Sequence, residues 1–276
     1  MVQAESFPTK CRYQAVDSID ISLLEQLHIP PKGIYDSVGN IISLAKAIYD
    51  EHNADEHNAA VVSLPFSHTV EAQALGADIQ PADETAGPRP GQYVLQNPGQ
   101  IELLDLTEDP QVANLLEASH LLQTDGYRVA YQISGPISIL SCLMNLAVVF
   151  KVWRKQPEQM ANIFANLQQM LLAYLEAACR SGVAYLSYAD PAGNADILGP
   201  KFTRLLTQQF TAPFLMQAQQ LIETKGYQTT LLLCPLVAGA LAQDGCLSEA
   251  GDGKLAVGCL KSGIEQISTG LRVSES

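Results

Sequence analysis

Basic residues are scarce in this chain. Its 16 Lys and Arg stand against 29 Asp and Glu, for a formal charge of -13, and a surface so short of cations cannot track phosphates. DNA, RNA and anionic membranes are excluded as partners on that ground. Long apolar runs are missing too. The longest, "ISILSCLMNLAVVF" at 137–150, is broken by Ser138, Ser141 and Asn145 and is too short to cross a bilayer. The opening "MVQAESFPTKCRY" lacks the basic segment and apolar core of a secretory signal, so a soluble, cytoplasmic protein is expected. The six cysteines (Cys11, Cys142, Cys179, Cys234, Cys246, Cys259) are scattered over 276 residues. That is no disulfide scaffold, and it leaves thiols or metal ligands in a reducing compartment. No Gly-x-Gly-x-x-Gly opens a helix, which argues against a dinucleotide site.

What is present is a large core and an alternating pattern. Hydrophobic residues make up 47% of the chain, enough for one sizeable α/β domain. Helical spacing runs through "SVGNIISLAKAIYDEHN", where Val38, Ile41, Ile42, Ala45 and Tyr49 share a face. It recurs in "DPQVANLLEASHLLQTDG", with Asp109 as N-cap, Pro110 in the first turn and Gly126 as the stop. Two more helices are predicted, over 156–182 ending at Gly182 and over 211–226 ending at Gly226. Between them lie runs of β-formers at 60–66, 128–134, 183–188, 229–234 and 255–259. These are almost continuously apolar, as parallel strands covered on both faces should be. Strand and helix in turn imply right-handed βαβ units. A (β/α)8 barrel typically needs roughly 250 residues, so this chain can close one with little to spare, and a doubly wound open sheet is the alternative.

Parallel barrels build their active sites at the carboxyl ends of the strands. That rule nominates Ser67 and His68, Ser134, Asp190, Cys234 and Cys259. Each has a plain reading beside the functional one. A cysteine ending an apolar strand serves as a small buried hydrophobe, Asp190 before Pro191 starts a turn, and His68 is a polar residue ahead of a helix. Together, two thiols and a carboxylate at separate strand ends match the mixed S and O ligands that zinc accepts, and zinc keeps a thiol deprotonated at neutral pH.

The stretches "LPFSHTVEAQALGADI" (64–79), "SGPISIL" (134–140) and "YADPAGNADILGPKFTRLLTQQFTAPFL" (188–215) resemble the uroporphyrinogen decarboxylase superfamily, and within it the methylcobamide:coenzyme M methyltransferases. The resemblance runs with gaps from about Ile34 to Cys259. It implies a (β/α)8 TIM-type barrel over 34–276, preceded by an N-terminal extension over 1–33. It also implies a zinc-activated thiol that takes a methyl group from a methylcorrinoid on a corrinoid-binding partner protein. Carried over, the metal ligands fall on Asp190, Cys234 and Cys259, with His68, Glu71 and Ser134 against the substrate. The sequence departs from the pattern in three places. Leu232 stands where the family has the histidine of His-x-Cys, and Gln73 replaces a glutamate. Too few residues separate Cys234 from Cys259 for the family's intervening βα units, so a barrel shortened or incomplete in its C-terminal third is expected. A degenerate barrel that binds a corrinoid protein or small ligand without catalysis is the second reading. A decarboxylase is the third, weakened because Arg12 stands alone where a polycarboxylate substrate would need a cationic cluster.

Overall fold

The computed structural model describes residue 7 and residues 21–53, 61–83, 87–251, 254–260 and 264–274; for Cys259 the backbone alone is described. The chain begins with α1 (Ile21–Gln26), α2 (Val38–Asn53), β1 (Val61–Ser63) and α3 (Val70–Ala74). A long connection follows, carrying the small antiparallel pair β2 (Ile79–Gln80) and β3 (Arg89–Pro90). Next come α4 (Pro110–Thr124), β4 (Arg128–Ser134), α5 (Pro136–Leu143), α6 (Leu146–Lys155), α7 (Pro157–Arg180) and β5 (Tyr185–Ala189). The last third holds α8 (Ala195–Leu206), a π-turn (Thr207–Thr211), α9 (Ala212–Lys225), β6 (Thr230–Leu233), α10 (Pro235–Gln243), β7 (Leu247–Glu249), β8 (Leu255–Leu260) and β9 (Ile264–Val273). Of the expected N-terminal extension, residues 1–6 and 8–20 lie outside the described residues, while Leu23, Leu24 and Ile29 are buried in the main core.

Local chemistry explains most of the boundaries. Asp109 caps α4, its Oδ1 accepting from Gln111 N at 2.9 Å and Val112 N at 3.2 Å, and Pro110 fills a first-turn position that needs no N–H. Gly226 closes α9 in the left-handed conformation, φ 71°. β4 spans the predicted run, whereas β1 keeps only three residues of its run because the chain leaves the sheet ahead of Pro65.

The main sheet has the order β1-β4-β5-β6-β8-β9-β7. The first five of these strands are parallel, and β9 then runs antiparallel to both β8 and β7. Alternation gives the sheet two unlike faces. Val129, Tyr131, Ile133, Leu186, Leu231 and Val257 join the main apolar cluster against the helices. Ala130, Tyr185, Leu232 and Ala256 form a small separate cluster on the other face, and the register puts Gln132 and Ser187 in line with Leu232 there.

The α/β architecture and the mostly parallel sheet agree with the expected (β/α)8 barrel fold, but among the described residues no closed barrel forms: the seven strands make one sheet with β1 and β7 at its edges. The shortening in the C-terminal third is real and has a simple cause. After β6 the chain has room for α10 and a strand, and β8 takes the place directly beside β6 (Leu232↔Ala256). The chain then turns back as an antiparallel hairpin instead of continuing the parallel order. No single helix among the described residues is long and apolar enough to cross a membrane; α5 and α6 together pass that test but bend by 120°.

Candidate active site

Three loops meet at the carboxyl ends of β1, β4 and β5. From β1 the chain carries His68 and then, on α3, Glu71. Ser134 ends β4, and Gln132 precedes it on the same face. His68 Nδ1 lies 3.2 Å from Ser134 Oγ and 3.1 Å from Gln132 Nε2. Glu71 is fully buried, and its Oε1 accepts the Ser134 backbone N–H at 2.7 Å while Oε2 has no hydrogen-bond partner among the described residues. Burial dominates both titrations. It holds the His68 imidazole down to about 4 and so neutral, and it pushes the Glu71 carboxyl up to about 7 against the opposing pull of Ser134. His68, Glu71 and Ser134, nominated from the sequence, are therefore brought together. Gln132 was missed, although a glutamine inside an otherwise apolar strand was a visible signal.

Asp190 follows β5 and is almost fully buried. Its Oδ1 accepts Ser138 N at 2.8 Å and Ser138 Oγ at 2.6 Å, and its Oδ2 accepts Ile137 N at 3.2 Å. The carboxylate thus occupies the orphan N–H groups at the start of α5. The Ser138 hydroxyl in turn accepts Ala192 N at 3.1 Å, tying the loop after β5 to the loop after β4. Gly135 and Gly193 make room for the carboxylate: a Cβ on Gly193 would lie 2.6 Å from Asp190 Oδ2, and one on Gly135 would collide with the Asp190 side chain. Burial raises the Asp190 pKa to about 6, with the Ser138 and Ile137 hydrogen bonds opposing it. These partners of Asp190 were not read from the sequence. Ser138 sits unmarked in an apolar helix.

Cys234 follows β6 at the N-cap position of α10 and belongs to the main apolar cluster. Cys259 lies in β8, paired with Glu265 of β9, and its side chain is outside the described residues. The expected zinc ligands Asp190, Cys234 and Cys259 do not assemble among the described side chains, which exclude that of Cys259. Both Asp190 oxygens are held by α5, and Leu232 is fully buried among Ala130, Tyr185 and Ala256 where the expected histidine ligand would stand. Among the described residues no three His, Cys, Asp or Glu side chains converge on a point. Nor do Cys142 and Cys179 offer a thiolate, since burial pushes both thiols up to about 11.

Beside Asp190 lies a cavity of about 260 Å³ between the loop after β5, the π-turn and α10. Its lining includes Asp190, Asn194, Thr207, Thr211 and Val237. The stretch 188–215, the most specific of the quoted motifs, supplies one whole wall.

Parallel strands with polar groups gathered at their carboxyl ends are the mark of the βα-barrel enzymes and their open relatives. The family model of uroporphyrinogen decarboxylase (URO-D) matches residues 43–233, and the chain belongs to that family. The match stops at Leu233, just before Cys234 and the hairpin. Among solved structures, a methyltransferase from Methanosarcina mazei is similar over 85% of this chain and 68% of its own, with a TM-score of 0.64 and 20% identity; at that identity the likeness is one of fold. No curated protein matches the chain.

Proposed function

We propose that this chain is a methyltransferase-type member of the uroporphyrinogen decarboxylase family, moving a methyl group from a methylcorrinoid on a partner protein to a small thiol. The observation that carries the reading is the charge of the site. His68, Gln132, Ser134, Glu71 and Asp190 meet at the strand ends, and among the described residues neither they nor the adjoining cavity wall includes a Lys or Arg. A tetrapyrrole bearing many carboxylates has nothing to pair with there. A methyl transfer needs no such cluster.

In this reading the thiol sits in the cavity beside Asp190. The thiol proton passes to the Asp190 carboxylate, raised by burial to about 6 and so both ionised and basic near neutral pH. The sulfur forms its bond to the methyl carbon as the cobalt–carbon bond breaks, and cobalt keeps the electron pair. Glu71, through Ser134 N, and His68, through Ser134 Oγ, hold the end of β4 against that reaction. Zinc is given no part.

A second reading, a binding protein without turnover, is favoured by the open sheet and by Leu232 in the histidine position. Methylcobalamin mixed with purified protein and a panel of thiols separates the two. Thioether formation above the protein-free rate supports methyl transfer. A folded protein that retains methylcobalamin but forms no thioether supports the second.

A further inference from the structure

We infer that the cavity beside Asp190 is an acceptor pocket selective for a small cationic group, so that its preferred thiol carries an ammonium rather than a carboxylate or sulfonate. The thiol part of this rests on the proposed methyl transfer; the charge preference does not.

Two of the threonines lining the cavity already spend their hydroxyl hydrogens on backbone carbonyls. Thr203 Oγ1 donates to Gly199 O at 3.0 Å and Thr207 Oγ1 donates to Thr203 O at 3.0 Å, which leaves each oxygen able only to accept. Asn194 is spent on the local backbone, its Oδ1 accepting from Asp196 N and Ile197 N and its Nδ2 donating to Pro191 O at 2.6 Å. Thr211, Gln243 and two carboxyl residues, Asp190 and Asp196, complete the polar lining, and among the described residues no Lys, Arg or His lines the cavity. The cation on the neighbouring face of α8, Arg204, is directed to Asp244 at 3.4 Å and is not part of the wall. A ligand entering this space meets acceptors and negative charge in a partly desolvated setting, where an ammonium is attracted and a carboxylate repelled. Leu206, Pro235 and Val237 supply an apolar side for a short carbon chain. At about 260 Å³ the space lies just below the range of roughly 300–1,000 Å³ usual for ligand pockets, which suits a molecule of a few heavy atoms.

The test is calorimetric titration of the full chain near neutral pH with three probes of similar size: cysteamine, 2-mercaptoethanol and 3-mercaptopropionate. Ethylamine and propionate serve as thiol-free controls. Cysteamine is expected to bind at least roughly tenfold more tightly than 3-mercaptopropionate, and ethylamine more tightly than propionate. The variant Gly239→Leu locates the site. Gly239 lines the cavity, and an added Cβ there meets nothing within 4 Å, so the side chain should fill the space, keep the melting temperature and abolish cysteamine binding. An anionic probe binding as tightly as its cationic counterpart overturns the proposal, as does failure of every probe to bind, or unchanged binding in a folded Gly239→Leu. Should that variant not fold, the ranking on the unmodified chain decides alone. Ethylamine preferred over propionate without thioether formation would leave the charge preference standing and remove the methyl transfer.

Discussion

Asp190 and Ser138 are joined twice: the Ser138 backbone N–H donates to Asp190 Oδ1 at 2.8 Å and the Ser138 hydroxyl donates to the same oxygen at 2.6 Å. With Ala192 N donating back to Ser138 Oγ, the contact closes a ring across two loops. Removing the carboxylate leaves three buried donors without acceptors. Asp190→Ala is expected to cost about 3 kcal/mol of stability in urea unfolding. Asp190→Asn keeps an acceptor oxygen and should cost less, yet it cannot take the thiol proton, so thioether formation should fall by at least roughly a hundredfold. Equal activity in the Asn variant would remove Asp190 from the chemistry and leave it a structural cap.

Gly135→Ala and Gly193→Ala test the same contact from outside. Both place a Cβ against the Asp190 side chain, which α5 holds fixed. Each should lower stability by about 1–3 kcal/mol, as overpacking does, while Gly239→Ala, where an added Cβ meets nothing within 4 Å, should leave the melting temperature unchanged or raise it.

Glu71 gives a pH signature. Its folded pKa, about 7, lies above its ordinary 4.5, so its contribution to stability is whole below 4.5 and is lost as pH rises through 7. His68 acts the other way. It is lowered from 6.5 to about 4, so stability is gained between those values as pH rises. Asp190, raised to about 6, acts in the same direction as Glu71, so two carboxyls oppose the histidine in mild acid, and between 6.5 and 7 Glu71 contributes most of the loss. In Glu71→Gln that share disappears, and the variant should gain on the parent by on the order of 3 kcal/mol from acid to neutral pH. Parallel stability curves from chemical denaturation at several pH values would contradict the assignment.

Chelation addresses the metal. With Leu232 buried among apolar neighbours and Asp190 held by α5, EDTA is expected to leave the melting temperature and the thiol affinities unchanged. Leu232→Ala should instead destabilise by about 2–4 kcal/mol through the cavity it leaves. Stoichiometric zinc by elemental analysis, with a lower melting temperature on chelation, would reverse this.

Much of the fold could be read from local signals. Asp109, Pro110 and Gly226 act within a few residues of themselves, and the helix ends they mark are where the structure has them. β4 was legible because Gly126 and Gly135 bracket an unbroken run. A departure in the C-terminal third was legible in the short spacing from Cys234 to Cys259, but the reversal of β9 was not, because it depends on pairing between strands rather than on a local signal. The site divides along the same line. His68, Ser134 and Asp190 were visible as polar residues at strand ends. The roles of Asp190 and Glu71 were hidden, because their partners lie 52 and 63 residues away in sequence and only the packed sheet brings them into reach.

An open sheet carries a hazard that a closed barrel does not. Each of its two edges has backbone N–H and C=O groups able to recruit a strand from another molecule. Here the outermost strands, Val61–Ser63 and Leu247–Glu249, have three residues each, while β9 inside them has ten. Such brief edges give an incoming strand little to pair with. By keeping its described borders short, the sheet resists the edge-to-edge aggregation that open edges invite.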